Sequence, residues 1–364
     1  MYSARAGSGA ATDGRNEGGG TGERPAGLPM TGLASARVID VHAHVVIDAT
    51  MGAAGRFGPE IGAHPDGMPW FRVGDYRLDG VRYIGGPFMD ADLRLGRMDE
   101  AGIDFQMLSP NPLTLFHFID APEAIAFCRV HNDALAAIVA PRKDRLAGFA
   151  ALPMQDVGAA VEELHRAVAD LGLYGPYIGT DMPRPLDDPA HDRLFEACVA
   201  LDVPLFIHPG PAGIDGPPGD VRLKRFDLDV VVGFAAQETI AVASLIYGGV
   251  LDRHPALDIC LSHGGGSSAY LLGRLARAAR KRPWAAAEIR PDGAFEERYR
   301  RLWFDTHLNS DRSERFFLDT VGRDRLVYGT NFAGWDAPDA GSGHAPEPYL
   351  ADNARRLLRA SRGS

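Results

Sequence analysis

Two histidines carry the first sign of chemistry in this chain. The apolar run Val38-Ile39-Asp40-Val41 leads directly into His42-Ala43-His44, which places two imidazoles at i and i+2. A short run of this kind reads as a buried strand. On a strand, positions i and i+2 face the same side. Two imidazoles side by side at a strand end can grip one metal ion; the plain alternative is a pair of hydrogen-bonded loop histidines. Later apolar runs end in the same fashion. Pro204–His208 ends in His208, and Leu257–Ser262 is followed by His263. Leu302–Thr306 contains Asp305 and precedes His307, and Arg325–Gly329 is followed by Thr330 and Asn331.

These runs alternate with helical patterns. Further strands are expected at 104–108, 146–152 and 175–179. Helices are expected at 91–101, 122–139, 157–171, 192–201, 229–247, 267–280, 314–321 and about 348–360. Eight strand–helix units imply parallel pairing and right-handed crossovers, which close into an α/β (β/α)8 TIM barrel. The C-terminal strand ends of such a barrel converge on one site. An open doubly wound sheet would show a glycine-rich phosphate turn after an early strand, and none follows the first strand here. Gly264-Gly265-Gly266 follows a strand but lacks a phosphate-binding lysine or a GxGxxG pattern. Two long Gly/Pro segments, 48–88 and 209–225, are expected as functional loops. His165 falls in a helix, His191 and His254 in turns, and His64 and His344 in loops, where local bonding or solvation is expected.

The 364 residues are 45% hydrophobic and 24% charged, an ordinary globular composition. A net charge of −10 argues against nucleic acid and anionic membrane as partners. A small anionic organic substrate needs only a local basic pocket. Cys128, Cys198 and Cys260 are far apart in apolar patterns, so we expect buried thiols in a reducing compartment, the cytoplasm. No apolar run approaches the ~18 residues of a membrane span. Residues 1–36 are rich in Gly, Ala, Ser and Thr and are expected to be a disordered tail, with one barrel domain over 37–364.

The motifs resemble the amidohydrolase superfamily. The similarity lies in Val38–His44, Phe206–Gly210, Ser262–Gly266 and Tyr328–Phe332. Its aminocarboxymuconate-semialdehyde decarboxylase-like branch is matched further by Phe71-Arg72-Val73, Gly148–Gln155, Glu238-Thr239-Ile240, Gly248-Gly249-Val250 and Gly273-Arg274. The resemblance implies a metal-dependent barrel enzyme. His42, His44 and His208 match the ligands of one divalent ion, zinc by donor type with manganese as the alternative. His263 matches the proton-shuttling histidine, and Arg72 an arginine that holds the substrate carboxylate. Arg274 matches an arginine that reaches the neighbouring subunit's site, which implies a homodimer.

Two positions depart from the family pattern. Asn331 stands where an aspartate usually supplies a further metal ligand; Asp336, directly or through a water, or else Asp305 and His307, is expected to compensate, with capping of the following turn as the plain alternative for Asp336. Gly210 stands where the branch carries a bulky aromatic residue. The implied activity is non-oxidative decarboxylation of an unsaturated or aromatic carboxylic acid. Hydrolysis or hydration of a related ring-cleavage product is the second reading. A metal-free binding homologue is the third; Asn331 favours it and the four retained histidines oppose it.

Overall fold

The structure is a computed structural model that describes residues 31–211, 213–215, 220–337 and 345–360. Eight parallel strand positions close into a barrel. They are β1 (Ile39–Val45), β5 (Phe105–Pro110), the pair β6 (Leu146–Gly148) and β7 (Ala150–Ala151), β8 (Pro176–Ile178), β9 (Leu205–Ile207), β10 (Ile259–Leu261), β11 (Trp303–Asp305) and β12 (Leu326–Val327). Ladders join β1 to β5 and β5 to β6, and then β7 through to β12 in chain order. The two sheets meet where Phe149 interrupts the third position and donates its N–H to the Leu108 carbonyl at 2.8 Å. The ring closes where Val41 N–H reaches the Tyr328 carbonyl (2.9 Å) and Phe332 N–H reaches that of His42 (3.2 Å). The expected (β/α)8 barrel is therefore the observed fold.

Strand β1 is buried along its whole length. Ile39 and Val41 join Phe105, Met107, Phe149, Phe206, Trp303 and Val327 in one apolar cluster, whereas Ala43 and Val45 pack in the other, with Leu108, Leu205 and Leu261. The pairing register with β5 shifts between Asp40 and Ala43. A bulge inserts one residue and exchanges the faces. It puts His42 and His44 on the side to which Ile39 and Val41 point earlier in the strand.

The first long loop is not structureless. Between residues 48 and 88 the chain forms an antiparallel sheet of β2 (Glu60–Ala63), β3 (Pro69–Val73) and β4 (Tyr76–Asp79). Phe71 and Val73 anchor it against Tyr83, Phe88, Phe116 and Phe127. The alternation of β3 is short and flanked by Gly and Pro, which hides it from a periodicity reading.

Two more expectations need correction. Of the proposed tail, residues 1–30 lie outside the described residues, but Thr31–Ser35 is a short helix whose Leu33 is wholly buried. The packed body thus begins before residue 37. The segment Leu228–Tyr247 is long and apolar enough to cross a membrane by length and composition, contrary to the expectation that no such run exists. Its inner face packs on the barrel, burying Ala241, Val242, Leu245 and Ile246, as expected of a barrel helix.

Candidate metal centre and active site

His42 and His44 from β1 and His208 from the end of β9 bring one ring nitrogen each within 4.8 Å of the others. All three residues are almost fully buried. Each Nδ1 faces an oxygen. That of His42 lies 2.7 Å from the Asp305 carboxylate, that of His44 is 3.1 Å from the Pro110 carbonyl, and that of His208 is 2.7 Å from the Pro209 carbonyl. A carbonyl or carboxylate only accepts, and Ser109 Oγ, 2.9 Å from His44 Nδ1, donates its own hydrogen to the Ala43 carbonyl, so each Nδ1 carries the hydrogen and each Nε2 keeps a lone pair.

The Nε2 atoms of His42 and His44 are 3.2 Å apart. The Nε2 of His208 is buried with no hydrogen-bond partner among the described residues. Protonation does not relieve this crowding. Burial pushes the His42 imidazole down to about 4, and burial together with the neighbouring histidines holds His44 and His208 well below the usual range. Neutral imidazoles with converging lone pairs fit a divalent cation. Asp305 orients His42 from behind, as carboxylates do for metal-binding histidines. Its carboxyl is held low: burial works against the charge, and His42 outweighs it.

His263 follows β10. Its ring centroid lies 5.0 Å from that of His42 and 4.9 Å from that of His208. Its Nδ1 is 2.8 Å from Glu238, a wholly buried carboxylate on helix Gly233–Tyr247. Burial opposes a charge on His263, but Glu238, with Asp305 and Asp336 beyond it, overcomes this and pushes the imidazole up to about 9. Of the four histidines, His263 is thus the one whose surroundings favour the doubly protonated form.

Asn331, whose neighbour Phe332 donates its N–H to the His42 carbonyl, is 9% exposed. Its Nδ2 donates to Asp336 at 2.6 Å, which turns its Oδ1 away from that carboxylate. The other Asp336 oxygen takes His307 Nε2 at 3.1 Å. Gly334 makes the return possible, since a Cβ there would lie 2.5 Å from Asn331 Nδ2. The structure therefore places Asp336 behind Asn331 and His307 and outside the three-histidine cluster.

Neither arginine meets the histidines. The Arg72 fork on β3 closes on Glu60, with Nη2 at 2.5 Å and Nε at 3.2 Å, while Nη1 donates to the Gly74 carbonyl. Arg274 is exposed on helix Ser268–Lys281. His191 and His254 are both buried, and His254 is bonded to Asp192 at 2.8 Å. Sequence reasoning gave no role to Glu238, nor to Asp40, which takes hydrogen bonds from His42 N–H, Gln106 and Thr330 and so ties β1 to its two neighbours. Two residues after His208, Gly210 joins Pro112, His117 and Asp181 in lining a cavity of about 120 Å³.

A closed parallel barrel with imidazoles at its strand ends defines a class of metal-dependent barrel enzymes. The chain belongs to the amidohydrolase family, which matches it over residues 39–360. It is 30% identical over 258 residues to a 2-amino-3-carboxymuconate-6-semialdehyde decarboxylase of Dictyostelium discoideum, covering 70% of each chain. It is 31% identical over 298 residues to a gamma-resorcylate decarboxylase of a Rhizobium species, covering 74% of this chain and 86% of that one. Among solved structures, a dihydroxybenzoic acid decarboxylase from a Polaromonas species, with bound manganese and 2-nitroresorcinol, superposes with a TM-score of 0.65. The identity there is 23%, over 89% of this chain and 97% of that one.

Proposed function

We propose that this chain is a metal-dependent, non-oxidative carboxy-lyase acting on an aromatic or unsaturated carboxylic acid. The observation that carries the reading is the convergence of three buried imidazoles on one point, with a fourth, His263, beside them and bonded to a buried carboxylate. The names of the two sequence relatives support the same reaction class.

His42, His44 and His208 would hold the ion, with Asn331 Oδ1 as a neutral fourth donor and Asp336 steering that amide. Once bound there, a divalent ion would supply Lewis acidity toward oxygen substituents of the substrate. His263 delivers its proton to the carbon that bears the carboxylate. That carbon becomes tetrahedral, its bond to the carboxylate breaks, and the electron pair returns to the ring or conjugated system as carbon dioxide leaves. Arg72, once released from Glu60, offers a bidentate fork to the substrate carboxylate. The room beside Gly210 suits a substituent that a bulky aromatic residue would exclude.

The imidazole-rich donor set favours zinc, with manganese, found in the Polaromonas enzyme, as the alternative. Three free, buried cysteines among the described residues fit a reducing cytoplasm. Exposed apolar residues on and before Leu228–Tyr247 (Val221, Phe226, Val231, Val232 and Ile240) suit an interface between two copies. Arg274, on the helix packed beside it, would then approach a partner.

The test is product analysis with metal-loaded protein and gamma-resorcylate, followed by related hydroxybenzoates, in D2O. The expected result is carbon dioxide with one deuterium at the vacated carbon, abolished with the metal in His208→Ala. Water incorporation without carbon dioxide would instead assign hydrolysis or hydration. Full metal retention in His208→Ala would remove that residue from the centre.

A further inference from the structure

Glu238 lies 25 residues before His263 and is wholly buried. Its Oε1 accepts from the Ser262 hydroxyl at 2.5 Å and faces His263 Nδ1 at 2.8 Å. Its Oε2 is buried with no hydrogen-bond partner among the described residues. A buried carboxylate with an idle oxygen is costly. Packing alone gives no reason for it at this position.

The helix that carries it also shapes the turn that carries His263. His263 adopts φ +45°, a left-handed conformation that non-glycine residues rarely hold unless their surroundings impose it. Gly266, three residues on, has φ +65°, and a Cβ there would lie 2.2 Å from the Ala235 carbonyl oxygen. Ser267 N–H donates to Thr239 Oγ1 at 3.0 Å. Ala235, Glu238 and Thr239, all on helix Gly233–Tyr247, thus press on one turn from one side.

A carboxylate at Nδ1 selects which nitrogen can work. Nδ1 must carry a hydrogen to satisfy Glu238, so Nε2 is left as the nitrogen that gives and takes a proton. We propose that Glu238 is a positioning residue for the reaction: it holds the His263 ring toward the histidine cluster and keeps Nδ1 protonated, so that only Nε2 exchanges. The inference rests on the reading of His263 as the proton carrier. Glu238 forms no hydrogen bond to His42, His44 or His208 among the described residues and acts through His263 alone.

Glu238→Gln tests it, because an amide of the same size can present either oxygen or NH2 to Nδ1. The readouts are ¹⁵N spectra of histidine-labelled holoenzyme, with His263 assigned through His263→Gln, then metal content, and then kcat and KM on gamma-resorcylate. We expect wild-type Nδ1 to stay protonated whether or not Nε2 is. In Glu238→Gln a population protonated at Nε2 alone appears, metal content holds, and kcat falls ~100-fold or more at nearly constant KM. Glu238→Asp keeps a carboxylate, so the wild-type protonation pattern is expected to return even where kcat does not fully recover. An unchanged pattern in Glu238→Gln, or an unchanged kcat, overturns the proposal. If Glu238→Gln does not fold, loss of Nδ1 protonation in Glu238→Asp does the same. The spectra need no substrate, so a failed decarboxylation assay counts against the proposed activity and leaves the positioning result standing.

Discussion

At the scale of single residues, the His42–Asp305 contact is the most exposed to test. The 2.7 Å bond fixes the ring so that Nε2 points where His44 and His208 converge. Asp305→Asn removes the charge behind the imidazole and lets an amide NH2 compete for Nδ1. Metal affinity should drop ~10–100-fold, read by competition with a chelator, because such outer partners typically carry that weight. Unchanged affinity would make Asp305 a packing residue. His42, His44, His208 and His263 were legible because their spacing and strand-end positions are local signals. Glu238 was not, because nothing local marks a helical glutamate as the partner of a histidine 25 positions away. Only the folded barrel joins them.

At the scale of elements, strand β1 shows where sequence patterning is incomplete. The i, i+2 spacing correctly puts His42 and His44 on one face, but the bulge between Asp40 and Ala43 decides which face that is. Alternation alone would send Ile39 and Val41 to the side opposite the histidines. The sheet of β2, β3 and β4 was missed altogether, and with it the ion pair that joins Arg72 to Glu60. Glu60, half exposed, occupies the same fork that a substrate carboxylate would use. Ion pairs this open contribute at most ~1 kcal/mol. Glu60→Gln should therefore leave the fold intact and lower KM by up to about fivefold, with kcat unchanged. An unmoved KM would take Arg72 out of substrate contact.

At the scale of the molecule, chemistry and cohesion occupy opposite ends of the barrel, as the fold dictates. Near the N-terminal strand ends, the carboxylate of Asp258 receives Trp303 Nε1 (2.8 Å), Arg325 (2.8 Å) and Arg359 (2.7 Å), and so links three strands to the C-terminal segment. Burial pushes this carboxyl up, but Trp303 and the two guanidinium groups outweigh it and hold it below its ordinary value. A depressed carboxyl stabilises fully above its unfolded value of ~4, and the contribution is lost as the pH falls through the lower folded value. Asp258→Asn should cost about 2 kcal/mol near neutrality. In denaturant melts the gap from wild type should narrow on acidification; a constant gap would assign the loss to packing. Helix Gly233–Tyr247 spans the remaining distance between site and surface. Glu238 on its inner side holds His263, while Ile240, two residues along, is 64% exposed on its outer side. A second copy gripping that outer side would brace His263 from outside, and if His263 carries the proton, turnover per subunit would depend on how crowded the protein is. Such an enzyme would report its own abundance, idling when dilute and quickening as it accumulates.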